Sequence, residues 1–405
     1  MRFSLHYKDL ILVVLLLLLA TCAATPTNKS RVVLTRTPEP ATSSPSPAIS
    51  GRLAWIDDCQ FPAQRGRGLT SYRGAPTYRS VNGTKPQDVA LFGHGWILAD
   101  TGTLYTYSGA TQQCLTDVIA TVKEQHARVF AVLGVSFDPS GQAGWTLPDI
   151  LSYEKRAVEH PALLKPIIQM LEQYHYDGLI VDIEVGDRAN PQLFTSYCNT
   201  LHHVLLQTQH HYPLGIALIH RTHQQSETDN QLNQFQDWSG LAAAADFLIV
   251  MALDMSHGTV GPLATGPWLA AIYDYAKEVL PNRALSQANW ELAAYCNWWA
   301  KEGSTWKNVG TATDCTYEKA QWLTDHIHHL HPPGRLLEEN GAVAHYIGED
   351  GTEYQFAHPQ TVLLFQQLFA LVKEDLPCIQ GSYWQAGLEG NSNLIASLNA
   401  NPHFC

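Results

Sequence analysis

The sequence predicts an α/β architecture: a (β/α)8 barrel with a small β-hairpin insertion between its seventh and eighth strands. Three observations carry that prediction. Short apolar runs of strand length alternate with longer helical stretches from about residue 89 to residue 384, the pattern of a parallel sheet with helices outside it. Residues 51–405 contain no obvious internal linker and are numerous enough for eight βα units with insertions. One of the apolar runs ends in two carboxylates, Asp182 and Glu184, and acids at strand ends are what the mouth of such a barrel requires.

Taken in order, the strand candidates are 89–98, 128–135, 178–183, 213–219, 246–253 and 283–290. Each is rich in Val, Ile, Leu, Phe or Ala, as expected of strands covered on both faces. The helical stretches between them are 112–125, 161–174, 191–208, 239–245 and 267–279. Runs 343–347 and 353–356 flank Gly348-Glu349-Asp350-Gly351; Gly and acidic residues between two short alternating runs read as a hairpin. A helix over 360–374 then leads to Gly381-Ser382-Tyr383-Trp384, the eighth strand. There is no sequence repeat beyond this alternation.

The N-terminal 50 residues stand apart from the fold. Arg2 and Lys8 precede an apolar run from Leu10 to Ala20 that is short for a membrane span and typical of an export signal over residues 1–22. The run closes on Leu19-Ala20-Thr21-Cys22, a pattern resembling a bacterial lipobox, so Cys22 is the expected lipidation site. Residues 23–50 are rich in Thr, Ser and Pro and read as an extended tether. The expected location is therefore secreted or extracytoplasmic, membrane-anchored through a lipid. Seven Cys follow Cys22, an odd count that leaves one unpaired in an oxidising compartment, and Cys296 with Cys315 reads as a local bridge. The net charge of −12 without a basic block excludes a nucleic-acid partner.

The segment Tyr176-Asp177-Gly178-Leu179-Ile180-Val181-Asp182-Ile183-Glu184 is the most informative. On a strand, Leu179, Val181 and Ile183 face one way and Ile180, Asp182 and Glu184 the other. Asp182 and Glu184 thus share a face, roughly 7 Å apart along the strand. Carboxylates on an apolar strand are costly to bury unless used or paired. Two so close do not both ionise freely, so the pair holds a proton. Glu184, nearest the strand end, is the candidate general acid. Asp254 closes the apolar run 246–253, and Trp384 closes the last.

At these residues the chain resembles glycoside hydrolase family 18, the chitinase-like family, and most of all its bacterial spore-wall and cell-wall branch. The signature Asp-Gly-x-Asp-x-Asp-x-Glu at the end of the fourth strand stands here as Asp177-Gly178-Leu179-Ile180-Val181-Asp182-Ile183-Glu184. The family's Met-x-Tyr-Asp after the sixth strand is matched by Met251-Ala252-Leu253-Asp254, and its last-strand Trp by Trp384. The resemblance spans about residues 89 to 390 and departs at two positions: Ile180 replaces the inner acid and Leu253 replaces the Tyr. It implies hydrolysis of β-linked N-acetylglucosamine polymers, chitin-type or peptidoglycan, by a retaining, substrate-assisted route. Glu184 is then the acid, and Asp182 orients the substrate's acetamido group. Asp254, Trp384, Met251 and Asp177 are the implied substrate-binding residues. No metal or other cofactor is implied, and a monomer is expected. The opposing reading is a lectin-like barrel that binds carbohydrate without cleaving it.

Other features read as structural. The histidines at 326, 328, 329 and 331 fall at a helix end before Pro332-Pro333, where His offsets the helix dipole, rather than forming a metal site. Trp290, Trp298, Trp299 and Trp306 suit packing at least as well as a cleft. Asn82-Gly83-Thr84 is a glycosylation sequon only in a host that glycosylates.

Overall fold

In the computed structural model, eight parallel strands close into a barrel. They are β1 (Arg52–Ile56), β2 (Asp88–Ile97), β4 (Val129–Val135), β5 (Gly178–Ile183), β6 (Leu214–Ile219), β7 (Phe247–Met251), β8 (Asn289–Ala293) and β14 (Gln380–Trp384). Each pairs in parallel with the next, and β1 pairs with both β14 and β2, which closes the ring. A short strand β3 (Leu104–Thr106) lies antiparallel on β2. The structure describes residues 52–56, 59, 88–97, 104–106, 110–135, 147–223, 233–256, 259–310, 315–337, 343–384 and 394–399, all within the compact unit Ser46–Cys405. The export signal, Cys22, the tether and the sequon at 82–84 lie outside the described residues.

Strand alternation sorts the apolar residues into two layers. Leu179, Val181 and Ile183 of β5 join Val129, Leu133, Ile216, Leu218, Val250 and Leu292 in the layer under the helices. Ile180 instead points into the barrel with Leu53, Trp55, Phe92, Phe130, Val132, Phe247 and Ile249. The two-faced reading of residues 179–184 is therefore the geometry observed.

The elements differ from the sequence expectation at several places. The first strand, β1, was not expected; buried on both faces, it carries no alternation to distinguish it from the chain around it. With β1 in place, β5 is the fourth barrel strand and β7 the sixth. Residues 283–290 are not one strand: Asn282–Ser286 is a short helix with Pro281 at its N-cap, and β8 begins at Asn289. Helix Leu147–Glu159 was also missed; it buries Ile150, Tyr153 and Ala157 on one face.

The expected hairpin is part of something larger. Strands β12 (Val343–Ile347) and β13 (Glu353–Ala357) pair antiparallel across Gly348–Gly351, where Gly351 adopts φ +79°. They belong to a five-stranded sheet of order β10-β9-β13-β12-β11, with β9 (Asn297–Glu302), β10 (Thr305–Gly310) and β11 (Arg335–Leu336). Helix Tyr317–His326 covers this sheet, burying Ala320 and Leu323 against Ala344 and Phe356. The Cys296–Cys315 disulfide closes the base of the insertion, as the spacing suggested. Cys59 pairs with Cys114, Cys378 is also disulfide-bonded, and Cys198 is a buried free thiol.

Candidate active site

The inward positions at the C-terminal ends of β5, β7, β8 and β14 converge on one mouth. β5 contributes Asp182 and then Glu184 just past its end. The end of β5 is held by Gln236, fully buried, whose amide group donates to the carbonyls of Ile183 (3.3 Å) and Ala217 (3.1 Å). Its Oε1 accepts from the Ile219 N–H at 2.7 Å. One side chain thus ties β5 to β6 immediately before Glu184.

From β7 come Met251, nearly buried, and Asp254. Asp254 sits at φ +59°, the left-handed region that a non-glycine residue adopts at a cost of about 1–2 kcal/mol. Tyr295, just beyond β8, donates its hydroxyl to Asp254 Oδ1 at 2.5 Å. β8 also supplies Glu291, in register with Met251 on one side and Ser382 on the other. Trp384 closes β14, half-buried, edge-on to Phe92 with ring centroids 5.0 Å apart and 5.7 Å from Trp55. It also packs beside Leu253 and Trp306 around Tyr295 and Trp299.

Four carboxyls therefore share one site, Asp182 and Glu291 buried and Glu184 and Asp254 partly exposed. Burial pushes Asp182 up to about 7. Burial first, then the charges of Asp182 and Asp254, raise Glu184 well above the usual carboxylate range. Glu291 is raised well above it too, by burial and then by Asp182, Glu184 and Asp254. Such a cluster keeps protons at neutral pH because each further ionisation places like charge beside like charge in a low dielectric. Glu184, partly exposed at the rim, is thus biased toward its protonated form. A proton donor beside a carboxylate that can stabilise a cation is the equipment for acid-assisted bond cleavage.

Of the residues proposed from sequence, the structure brings together Asp182, Glu184, Met251, Asp254 and Trp384. It does not bring Asp177 to them. Asp177 precedes β5, at the opposite end of the barrel, seven residues and about 23 Å along the strand from Glu184. There it accepts the Val129 N–H at 2.8 Å and pairs with Lys123 at 2.9 Å. The assignment of Asp177 to substrate binding is corrected to a clamp between β5 and β4. Trp290 is core, fully buried under the helices.

Two site residues escaped the sequence reading. Glu291 lies in a stretch assigned to a continuous strand from 283, so its inward phase was lost. Tyr295 lies past the strand end, and its partner Asp254 is 41 residues away. A signal for Glu291 existed: an acid flanked by Trp290 and Leu292 on an apolar run, the same anomaly that marks Asp182.

No protein-family model and no curated protein matches the sequence. Solved structures do match in three dimensions. A chitinase from Chromobacterium violaceum superposes with a TM-score of 0.64 at 18% identity, over 87% of this chain and 98% of that one. The spore cortex-lytic enzyme SleL of Bacillus cereus gives 0.63 at 16% identity, over 85% of this chain and 73% of that one. A GH18 chitinase from Cycas revoluta, solved in complex with (GlcNAc)3, gives 0.57 at 14% identity, over 87% and 100%. The chain therefore has the (β/α)8 fold shared by GH18 chitinases and the spore cortex-lytic enzyme SleL.

Proposed function

We propose that the protein is a glycoside hydrolase acting on β-linked N-acetylglucosamine polymers, chitin-type or peptidoglycan, and that it belongs to glycoside hydrolase family 18. The observation that carries this reading is Glu184: partly exposed at the barrel mouth, held protonated by burial and by Asp182 and Asp254. Glu184 donates its proton to the leaving glycosidic oxygen. Asp182 accepts the N–H of the substrate's 2-acetamido group, and the acetamido oxygen attacks the anomeric carbon to form a cyclic oxazolinium ion. Water, deprotonated by Glu184, then opens that ion, so configuration is retained. Asp254, steadied by Tyr295, takes a sugar hydroxyl or the acetamido carbonyl, and Trp384 with Met251 floors the sugar ring. The fold's likeness to chitinases, one of them solved with (GlcNAc)3, supports the substrate class.

The experiment is hydrolysis of chitooligosaccharides and solubilised peptidoglycan by the protein beside Glu184→Gln. Turnover falls by about 10²–10⁴-fold in the variant while saccharide binding persists. A lectin-like reading is favoured by Ile180, which sits in the apolar interior where the family carries an acid. It prevails if neither protein cleaves and both bind.

The protein acts outside the cytoplasm, as a monomer held by a lipid on Cys22. The disulfides Cys59–Cys114 and Cys296–Cys315 support an oxidising compartment. Labelled fatty acid should enter the protein and be lost with Cys22→Ala; equal labelling of both removes the anchor.

A further inference from the structure

Glu291 is a buried carboxyl that the mechanism above leaves idle. It is 1% exposed, and its Oε2 has no hydrogen-bond partner. The same holds for Oδ1 of Asp182, which is 8% exposed. An ionised carboxylate with vacant lone pairs and no water is strongly disfavoured, so groups of this kind take up protons or share them. The titratable groups facing Glu291 are Asp182 and Glu184 from β5, Asp254 from the end of β7, and Tyr295 beyond β8. Asp182 lies at the C-terminal end of β5, in register with Gly134, and Glu291 at the same end of β8, in register with Met251, and each keeps a buried oxygen without a hydrogen-bond partner. The position on β5 one inward step below Asp182 is Ile180, packed among apolar side chains of the barrel interior. Asp182 therefore has no carboxyl below it on its own strand.

Resting on the hydrolase reading, we infer that Glu291 is a positioning residue that supplies to Asp182, from β8, the carboxyl partner absent at Ile180. Protonated Glu291 donates a hydrogen bond to Asp182. Asp182 then stays ionised and aimed at the substrate's acetamido N–H, while Glu184 keeps the proton it delivers. Two protons are held by three carboxyls, and the arrangement neither makes nor consumes one. The inner acid missing at Ile180 is thereby replaced from a different strand.

The test compares Glu291→Gln, Glu291→Met and the double variant Ile180→Asp with Glu291→Met. Two readouts are used. One is the pH–rate profile on chitooligosaccharides. The other is the infrared titration of Asp182 in protein carrying ¹³C-carboxyl aspartate, taken as the difference from Asp182→Asn. Loss of the donor in Glu291→Met moves the Asp182 midpoint up by about one pH unit and lowers kcat by about tenfold or more with little change in KM. Glu291→Gln, whose amide still donates, keeps the midpoint within about half a unit and recovers most of kcat. Ile180→Asp restores part of kcat to the Met variant. An Asp182 midpoint that is unmoved or falls in a folded Glu291→Met overturns the inference. So does a Gln variant as impaired as the Met variant, and if Met fails to fold the Gln midpoint alone decides. Absence of cleavage by the unaltered protein removes the hydrolase reading but leaves the infrared test of the Asp182–Glu291 pairing standing.

Discussion

Asp254 shows how much of the site depends on single side chains. Its left-handed backbone turns the chain at the end of β7, and the Tyr295 hydroxyl pins its carboxylate. Family 18 glycoside hydrolases, which the sequence resembles here, place a Tyr directly before this Asp; here that residue is Leu253, which packs into the apolar wall beside Tyr295. A phenol reaching in from the loop after β8 thus serves the carboxylate from another direction. Tyr295→Phe removes one hydrogen bond to a charged group, a contribution of about 1.5–3 kcal/mol. The expected outcome is a drop in kcat/KM of roughly 10–100-fold, measured on chitooligosaccharides, with a melting temperature lowered by a few degrees. An unaltered kcat/KM would remove Tyr295 from the site.

The strands are set in register at the barrel's N-terminal rim by one recurring device. Asp88 at the start of β2 accepts the Arg128 N–H beside β4 and pairs with the Arg128 guanidinium at 2.6 Å. Asp177 before β5 accepts from Val129 of β4, and Asp246 before β7 accepts from Leu214 of β6, both at 2.8 Å. Each carboxylate caps a backbone N–H that the parallel ladder leaves unmet at a strand start, which is where an orphaned donor costs most. Asp177→Ala should therefore lower stability by about 1–2 kcal/mol in denaturant unfolding and leave kcat as it was. Loss of activity without loss of stability would return Asp177 to the site. The element scale also explains why acids at strand starts and strand ends look alike in sequence: only the direction of the strand in the barrel separates a clamp from a catalyst.

Across the whole molecule, the helical shell carries its own buried acid. Glu154, on helix Leu147–Glu159, is fully buried with both carboxyl oxygens lacking a hydrogen-bond partner. Burial, with the charge of Asp187 as a second cause, pushes it from the ordinary 4.5 up to about 8. The folded state therefore holds a proton that the unfolded chain releases above 4.5. The contribution is complete below pH 4.5 and is lost as pH rises toward 8, by up to about 1.4 kcal/mol per pH unit. Glu154→Gln keeps the neutral shape without the titration. Its melting temperature should exceed that of the unaltered protein increasingly from pH 5 to pH 8, and parallel curves for the two proteins would refute this.

How much of this was written in the primary structure follows a physical division. Alternation is local, so residues 178–184 alone were enough to place Asp182 and Glu184 on one face and Leu179, Val181 and Ile183 on the other. The spacing of apolar runs likewise sufficed for the barrel class, and the Gly348–Gly351 turn for its hairpin. What is non-local was not legible. Strand β1 and the sheet partners of the hairpin gain their stability from neighbours far along the chain, so their own residues carry weak signals. Whether an acid before or after a strand lies at the mouth or the base depends on barrel closure, which moved Asp177 out of the site. Glu291 and Tyr295 entered it for the same reason: their strand reaches the mouth only once the sheet has closed, and only then does the Tyr295 hydroxyl meet Asp254.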